Sequence, residues 1–125
     1  MEASILTSVK NTLGLAEDYD VFDEQIITHI NSAFSTLNQL GVGPVVFMIE
    51  DDSAEWSSFS NDDVLLGHVR TYIYLKVRLA FDPPTTSYAI AAFERQVQEV
   101  EWRISVYREG TEWVDPNEPV VVEDL

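Results

Sequence analysis

Two long amphipathic segments, residues 61–81 and 87–109, are joined by the short turn Asp82-Pro83-Pro84. Proline has no backbone N–H, and its ring disfavours helical backbone at the preceding residue, so the proline pair ends the first segment sharply as a helix. Two helices joined by so short a turn fold back antiparallel, with their apolar stripes facing each other. The sequence therefore predicts an antiparallel helical hairpin.

Apolar residues recur every three or four positions along both arms of the hairpin, which is the spacing of a buried helical stripe. The stripe of the first arm contains Leu65, Leu66, Val69, Tyr72, Ile73, Val77 and Ala80. The stripe of the second arm contains Ile90, Phe93, Val97, Val100, Ile104 and Tyr107. We expect Ser60 or Asn61 to cap the first arm and Gly110 to end the second.

Two further helices are predicted before the hairpin. Residues 4–13 carry a short apolar stripe that Gly14 closes. A longer stripe extends to about Leu40, with Asp20 as the expected N-cap and Gly41 to Pro44 as the end. The predicted fold is mainly α: a small four-helix bundle with an extended central loop segment and an extended C-terminal tail.

The central segment, residues 45–60, interrupts the helical pattern. Its apolar run 45–49 is too short for a helix and is typical of an extended segment or a small strand. Trp56 and Phe59 follow an acidic cluster and fit an ordered excursion with one helical turn. The apolar run and these two aromatic side chains either pack over the end of the bundle or form a partner-binding surface.

The tail, residues 111–125, differs in composition from the helical domain predicted for residues 1–110. It has two prolines, five acids and three consecutive valines, Val120, Val121 and Val122. Branched valines favour extended backbone, and an extended peptide can add a strand to the edge of a partner's sheet. A frayed chain end is the alternative interpretation.

Length and composition exclude several classes of protein. A chain of 125 residues builds one domain with a modest core. It has no cysteine and hence no disulfide or thiolate metal site, which fits a cytosolic protein. No apolar run approaches the roughly 20 residues of a membrane helix, and the first residues lack the pattern of a signal peptide.

The net charge of −15 is unevenly distributed. Residues 64–108 contain six basic and four acidic residues, a net charge of +2, so the remainder carries −17 with Lys10 as its only basic residue. Each contact with a DNA phosphate normally needs Lys or Arg, so tight binding to DNA is not expected. The excess of acid either serves solubility alone or has a further use.

Residues that could carry chemistry are few. His29 and His68 lack a glutamate three positions earlier, so the Glu-x-x-His pairs of helical di-metal centres are absent. The run 50–55 lacks the spacing and central glycine of a calcium loop, and no phosphate-binding glycine motif occurs. We therefore predict no enzymatic activity, no catalytic residues, no metal and no cofactor.

Several segments, in this order and spacing, resemble the head–tail connector (head-completion adaptor) proteins of long-tailed bacteriophages and prophages. They are INSAF (30–34), LNQLGVG (37–43), TYIYLKVR (71–78), FDPP (81–84), ERQ (94–96) and EWR (101–103). The resemblance covers about residues 5–108. It implies a structural virion protein that forms a ring of about twelve copies below the portal, extends the DNA channel and offers a docking surface to a downstream stopper or tail-completion protein.

The resemblance also suggests roles for individual residues. The tail would dock on the portal protein through Trp113 and the three valines 120–122. Glu50, Asp51 and Asp52 are the candidates for the channel wall, where DNA passes without specific binding. Arg70, Arg78, Arg95 and Arg108 are the candidates for contacts between neighbouring copies. The protein would reside at the head–tail interface of the virion, and in the host cytoplasm during assembly, with no membrane partner.

A different class of function stays open at this stage. An acidic protein-binding module, such as a DNA mimic or an inhibitor of a nucleic-acid-binding protein, would also be small and strongly acidic. Carboxylates spaced along one continuous face would favour that alternative, whereas here the acids cluster in the loops and the tail.

Overall fold

A computed structural model of the protein describes residues 4–112. Four α-helices follow in order, α1 (Ile5–Thr12), α2 (Asp23–Gln39), α3 (Asp63–Phe81) and α4 (Ser87–Glu112), with a single 3-10 turn at Trp56–Ser58. The described residues form no strand beyond one isolated bridge between Ser4 and Glu55. The prediction of a mainly α fold with four helices is confirmed. None of the helices in residues 4–112 is long and apolar enough to cross a membrane.

Helix α3 is the centre of the molecule. It packs against each of the other three helices, whereas α4 packs chiefly on α3. The predicted hairpin is confirmed, because α3 ends at Phe81, immediately before the proline turn, and α4 begins at Ser87. Leu75 is buried although it lies outside the predicted stripe, and Ala80 is exposed although it lies inside it.

The core is formed by one side of each helix, by Val42 and Ile49 of the loop after α2, and by Trp56 and Phe59 of the central segment. Trp56 and Phe59 are buried, and the Trp56 indole Nε1 donates a hydrogen bond to the Ser8 hydroxyl at 3.1 Å. Packing over the bundle is therefore the role of these side chains within the subunit. The 3-10 turn agrees with the predicted single helical turn.

Of the two alternatives predicted for residues 45–49, the small strand is wrong, because residues 45 and 46 form a turn and the segment is a loop. Val46 has a φ of 57°, which breaks extended backbone, and Val45 and Val46 are 81% and 71% exposed. Phe47 instead packs against Phe34 and Phe59, with ring centroids 4.8 and 5.3 Å away. An apolar run was a poor guide here because only some of its side chains enter the core.

Three predicted helix ends were also misplaced. Asp62, rather than Ser60 or Asn61, caps α3 by accepting the backbone N–H groups of Val64 and Leu65. Phe22, which offers no side-chain cap, precedes α2 in place of Asp20. Helix α4 continues through Gly110 to Glu112, since glycine ends a helix only where its backbone turns left-handed. The predicted portal-docking residues Trp113, Val120, Val121 and Val122 lie outside the described residues.

Candidate interaction surfaces

The described part of the chain offers little to an enzyme mechanism. Within residues 4–112 no three His, Asp or Glu side chains are grouped so as to hold a metal ion. An open cavity of about 360 Å³ lies beside the start of α3. Its lining is formed by Ser57, Ser60, Asn61, Asp63, Leu66, Gly67 and Arg70. One carboxylate and one guanidinium among hydroxyl groups do not make an acid–base pair of the kind that catalysis needs.

Two of the four arginines proposed for contacts between copies are engaged within the subunit. Arg78 Nε donates to the Asp82 carbonyl oxygen at 2.8 Å, and its Nη1 donates to the Tyr74 hydroxyl at 3.1 Å. Arg108 Nε donates to the Leu40 carbonyl oxygen at 3.3 Å. Both side chains are half-buried, and these bonds stabilise helix ends within the subunit. A contact with a neighbouring copy would be made in addition to this role.

The other two arginines are exposed. The Arg70 guanidinium lies 5.1 Å from the centre of the Trp56 ring, a stacked arrangement that restricts the arginine while its donors still face solvent. Arg95 projects from α4 and makes no ion pair with any residue between 4 and 112. In a chain of net charge −15, an arginine without an acidic partner is available to an acid of another molecule.

The acidic residues proposed for the channel wall are all exposed. Glu50, Asp51 and Asp52 follow the loop that Phe47 anchors to the core. The Asp51 carboxylate accepts hydrogen bonds from the Ser53 hydroxyl and the Ser53 backbone N–H, and these bonds lower the pKa of Asp51. This carboxylate is therefore ionised at neutral pH and is held in one direction by the turn.

The end of α2, the start of α3 and the end of α4 meet at one polar junction. The Tyr107 hydroxyl on α4 donates to the Asp62 carboxylate at 2.6 Å, and Asp62 also caps α3. The bond from Tyr107 lowers the pKa of Asp62, with the backbone N–H of Leu65 as a second cause, and it raises the pKa of Tyr107. This junction fixes the last turns of α4 and hence the point from which the tail departs.

A second tyrosine joins the two arms of the hairpin. Tyr72 is buried in α3, and its hydroxyl donates to the Glu101 carboxylate of α4 at 2.8 Å. Burial, followed by the hydrogen bond to Glu101, raises the pKa of Tyr72 well above its ordinary value. Sequence analysis placed both tyrosines in apolar stripes and missed their acidic partners, because a partner on another helix leaves no local signal.

The N-terminal helices are joined by a buried ion pair. Lys10 is only 2% exposed, its Nζ lies 2.9 Å from Asp23 Oδ1, and it donates to the Glu17 carbonyl oxygen at 2.9 Å. The buried Oδ1 of Asp23 accepts no hydrogen bond of regular geometry, so the nearby ammonium is its electrostatic compensation. The only basic residue of the acidic N-terminal region thus has a structural role.

Two surfaces expose large apolar side chains, and one of them lies in the apolar run 45–49, which the sequence analysis named as a possible partner-binding segment. The first is the valine loop, formed by Val45, Val46 and Met48, of which Met48 is 60% exposed. The second is the outer stripe of α4, formed by Tyr88, Arg95, Trp102 and Val106, with Tyr88 and Trp102 at 80% and 64% exposure. Exposed apolar patches on small proteins commonly mark contacts with other proteins.

The comparisons with known proteins give one result. A family model described as Phage connector protein matches residues 5–111 of the chain. No curated protein and no solved structure is significantly similar to it.

Proposed function

Because the chain belongs to the phage connector protein family, we propose that it is a structural virion protein which forms a ring of about twelve copies below the portal. In this role it extends the DNA channel and offers a surface to the next protein of the head–tail interface, a stopper or tail-completion protein. The family match over residues 5–111 is the observation that carries the proposal. The protein acts without catalysis, in the virion and, before assembly is complete, in the host cytoplasm.

The charge of the subunit supports a channel role. Carboxylates greatly outnumber cations, and a wall of the same sign as the phosphates lets a duplex slide because no Lys or Arg holds it. We assign Glu50, Asp51 and Asp52 to this wall because they are exposed and lie in the loop segment between α2 and α3.

Replacement of these three acids by lysine tests the assignment. The variant is expected to form rings normally but to change the retention or ejection of packaged DNA, since the wall would then attract phosphates. Rings are counted by electron microscopy, and DNA release is followed with a nuclease-protection assay on whole particles. A matched replacement of Glu24, Glu55 and Asp63, three other exposed acids, serves as the control. Unchanged DNA behaviour in the first variant would contradict the assignment.

We assign portal binding to the tail, and in particular to Trp113, Val120, Val121 and Val122. The junction of Asp62, Tyr107 and Arg108 supports this, because it holds the end of α4 rigidly against α2 and α3. Because the end of α4 is held in place, a docking segment attached to it can reach only a limited volume. Less conformational entropy is then lost when that segment binds.

Deletion of residues 113–125 tests this assignment. The shortened chain is expected to keep the helical content and cooperative unfolding of the full chain, yet to lose co-sedimentation with the portal protein. The full chain carrying Val21→Ala, a change in an exposed side chain just before α2, is the control for binding. Normal co-sedimentation of the shortened chain would remove the tail from the portal contact.

The acidic binding module has less support. Its exposed acids are scattered over the loops around Asp18 and Asp51 and over three helices, at Glu24, Asp63 and Glu94 among others, and are not concentrated on one helical face that copies the spacing of phosphates. A stable monomeric complex with a basic nuclease or repressor, isolated in place of a portal complex, would favour this alternative.

A further inference from the structure

We propose that neighbouring copies contact each other through the valine loop of one copy and the outer stripe of α4 of the next. This inference rests on the proposed ring, which requires such a contact, and it names the two surfaces that form it. The contact is heterologous, since each copy uses one surface toward one neighbour and the other surface toward the second neighbour. Contacts of this kind close into rings when the rotation between copies allows it.

The valine loop is held in a defined shape that points its side chains outward. The Asn31 side chain accepts from the Ile49 backbone N–H at 2.8 Å and donates to the Ile49 carbonyl oxygen at 3.0 Å. Phe47 is anchored against Phe34 and Phe59, and Asn38 donates to the Pro44 carbonyl oxygen at 3.3 Å. The loop is therefore ordered before any partner arrives, and an ordered loop loses little entropy on binding.

The backbone at Val46 is strained in a way that points to a function. A φ of 57° lies in the left-handed region, where a β-branched side chain is a genuine outlier. Such strain costs stability and persists where the surrounding structure imposes it, most often at binding sites. The strained residue is also 71% exposed, so the core gains nothing from its valine side chain.

The outer stripe has the composition of a contact surface. Its successive residues are seven, seven and four positions apart, so they share one face of α4. The buried Val97 and Ile104 lie on the opposite face. Tryptophan, tyrosine and arginine are the residues most enriched at the centres of protein interfaces. Because α4 packs chiefly on α3, this face is not covered by the described part of the subunit.

Charge and geometry favour a second copy of this chain as the occupant. Helices α2 and α4 run in the same direction, because Leu40 at the end of α2 contacts Arg108 near the end of α4. The exposed acids Asp18 and Asp20 precede α2, and the valine loop follows it. Helix α2, which lies between these acids and the valine loop, has 17 residues and is about 25 Å long, close to the roughly 27 Å between Tyr88 and Val106 on α4.

A neighbour placed alongside with its helices in the same direction would bring matching groups together. Its valine loop would meet Trp102 and Val106 in the second half of α4, and Asp18 and Asp20, about 25 Å away, would face the first half between Tyr88 and Arg95. Arg95 has no acidic partner within residues 4–112, and opposite charges at the rim of an interface set its register.

Cysteine cross-linking tests the contact directly, since the natural chain contains no cysteine. The full chain carrying both Val45→Cys and Trp102→Cys is oxidised alone and on the portal protein. It is expected to give a ladder of disulfide-linked multimers on a non-reducing gel. Each single variant is expected to give at most a dimer. The pair Asn11→Cys and Trp102→Cys, with an exposed residue of α1 in place of the loop residue, is the matched control and should give no ladder.

A mixing experiment tests the direction of the contact. Val45→Asp disrupts the valine loop and leaves the outer stripe intact, whereas Trp102→Asp does the reverse. Neither variant alone should therefore assemble. An equimolar mixture of the two should give a one-to-one dimer and nothing larger.

Val46→Gly separates folding from assembly, because glycine relieves the backbone strain. The thermal midpoint of this variant should not fall. When it is combined with the cysteine pair, the yield of cross-linked multimers should drop at least several-fold.

Several outcomes would overturn the inference. They are the absence of a ladder for the Val45–Trp102 pair, an equal ladder for the Asn11 control, or disulfides that form with cysteines introduced into the portal protein instead of with a neighbouring copy. If the natural chain still forms rings on the portal in these cases, the proposed function stands and only the contact is wrong. If the natural chain does not bind the portal at all, the proposed function itself fails.

Discussion

At the scale of single residues, polar side chains define how the helices end and meet. Asp62 has two tasks, because it caps α3 and accepts the Tyr107 hydroxyl of α4. The folded state lowers the pKa of Asp62 below its ordinary value of 3.8. A carboxyl group of this kind contributes stability above pH 3.8, and the contribution is lost as the pH falls through the folded-state pKa.

Replacing Tyr107 with phenylalanine tests this junction. The change removes the main cause of the shift, so the pKa of Asp62 is expected to rise toward its ordinary value while the backbone N–H of Leu65 maintains part of the shift. Carbon-detected NMR titration of the Asp62 carboxyl group measures the effect. Tyr88→Phe, at an exposed tyrosine without such a contact, should leave the titration unchanged. An unchanged Asp62 pKa in Tyr107→Phe would show that the bond has no energetic role.

At the scale of elements, helix existence was predictable and helix ends were less so. The stripes and the proline turn identify α1 to α4 because apolar periodicity is repeated over many residues. The ends depend on single side chains, and Ser60, Asn61 and Asp62 are all plausible caps until the chain is placed in three dimensions. The small strand predicted over residues 45–49 is absent, and its valines face solvent. Composition alone does not show which apolar side chains of a short run are exposed.

The outer stripe of α4 was not predicted, whereas the apolar run that contains the valine loop was named as a possible partner-binding segment. Trp102 lies on the face of α4 opposite its predicted stripe, and that position was the available signal. A tryptophan on the polar side of an amphipathic helix exposes a large apolar surface to water, which is unfavourable in free energy. Such a residue is therefore a reason to look for a protein partner. The partners of Tyr72 and Tyr107, in contrast, come from other helices and could not be paired from sequence.

The opposite faces of α4 are expected to respond differently to truncation. Ile104→Ala removes a fully buried side chain between α4 and α3 and should lower the free energy of unfolding by about 2–5 kcal/mol. Trp102→Ala, on the exposed face, should change it by less than about 0.5 kcal/mol. Urea denaturation followed by circular dichroism measures both. Equal losses would mean that the outer stripe is part of the core, contrary to our description of α4.

At the scale of the whole molecule, the family, the fold and the charge fit one role. The chain is a phage connector protein by its match over residues 5–111, and its helices leave an acidic exterior. The central helix α3 is covered on several sides, while the outer face of α4 and the valine loop remain exposed. A subunit with two distinct exposed surfaces is suited to assembly beside copies of itself.

The copy number of this protein on the portal tests the central claim most directly. Purified chain is mixed with the portal protein of the same phage, and the complex is imaged by electron cryomicroscopy and weighed by native mass spectrometry. Our account predicts a single ring of about twelve copies below the portal, around an open channel. A portal without bound chain, or copies bound singly with no contact between neighbours, would contradict it.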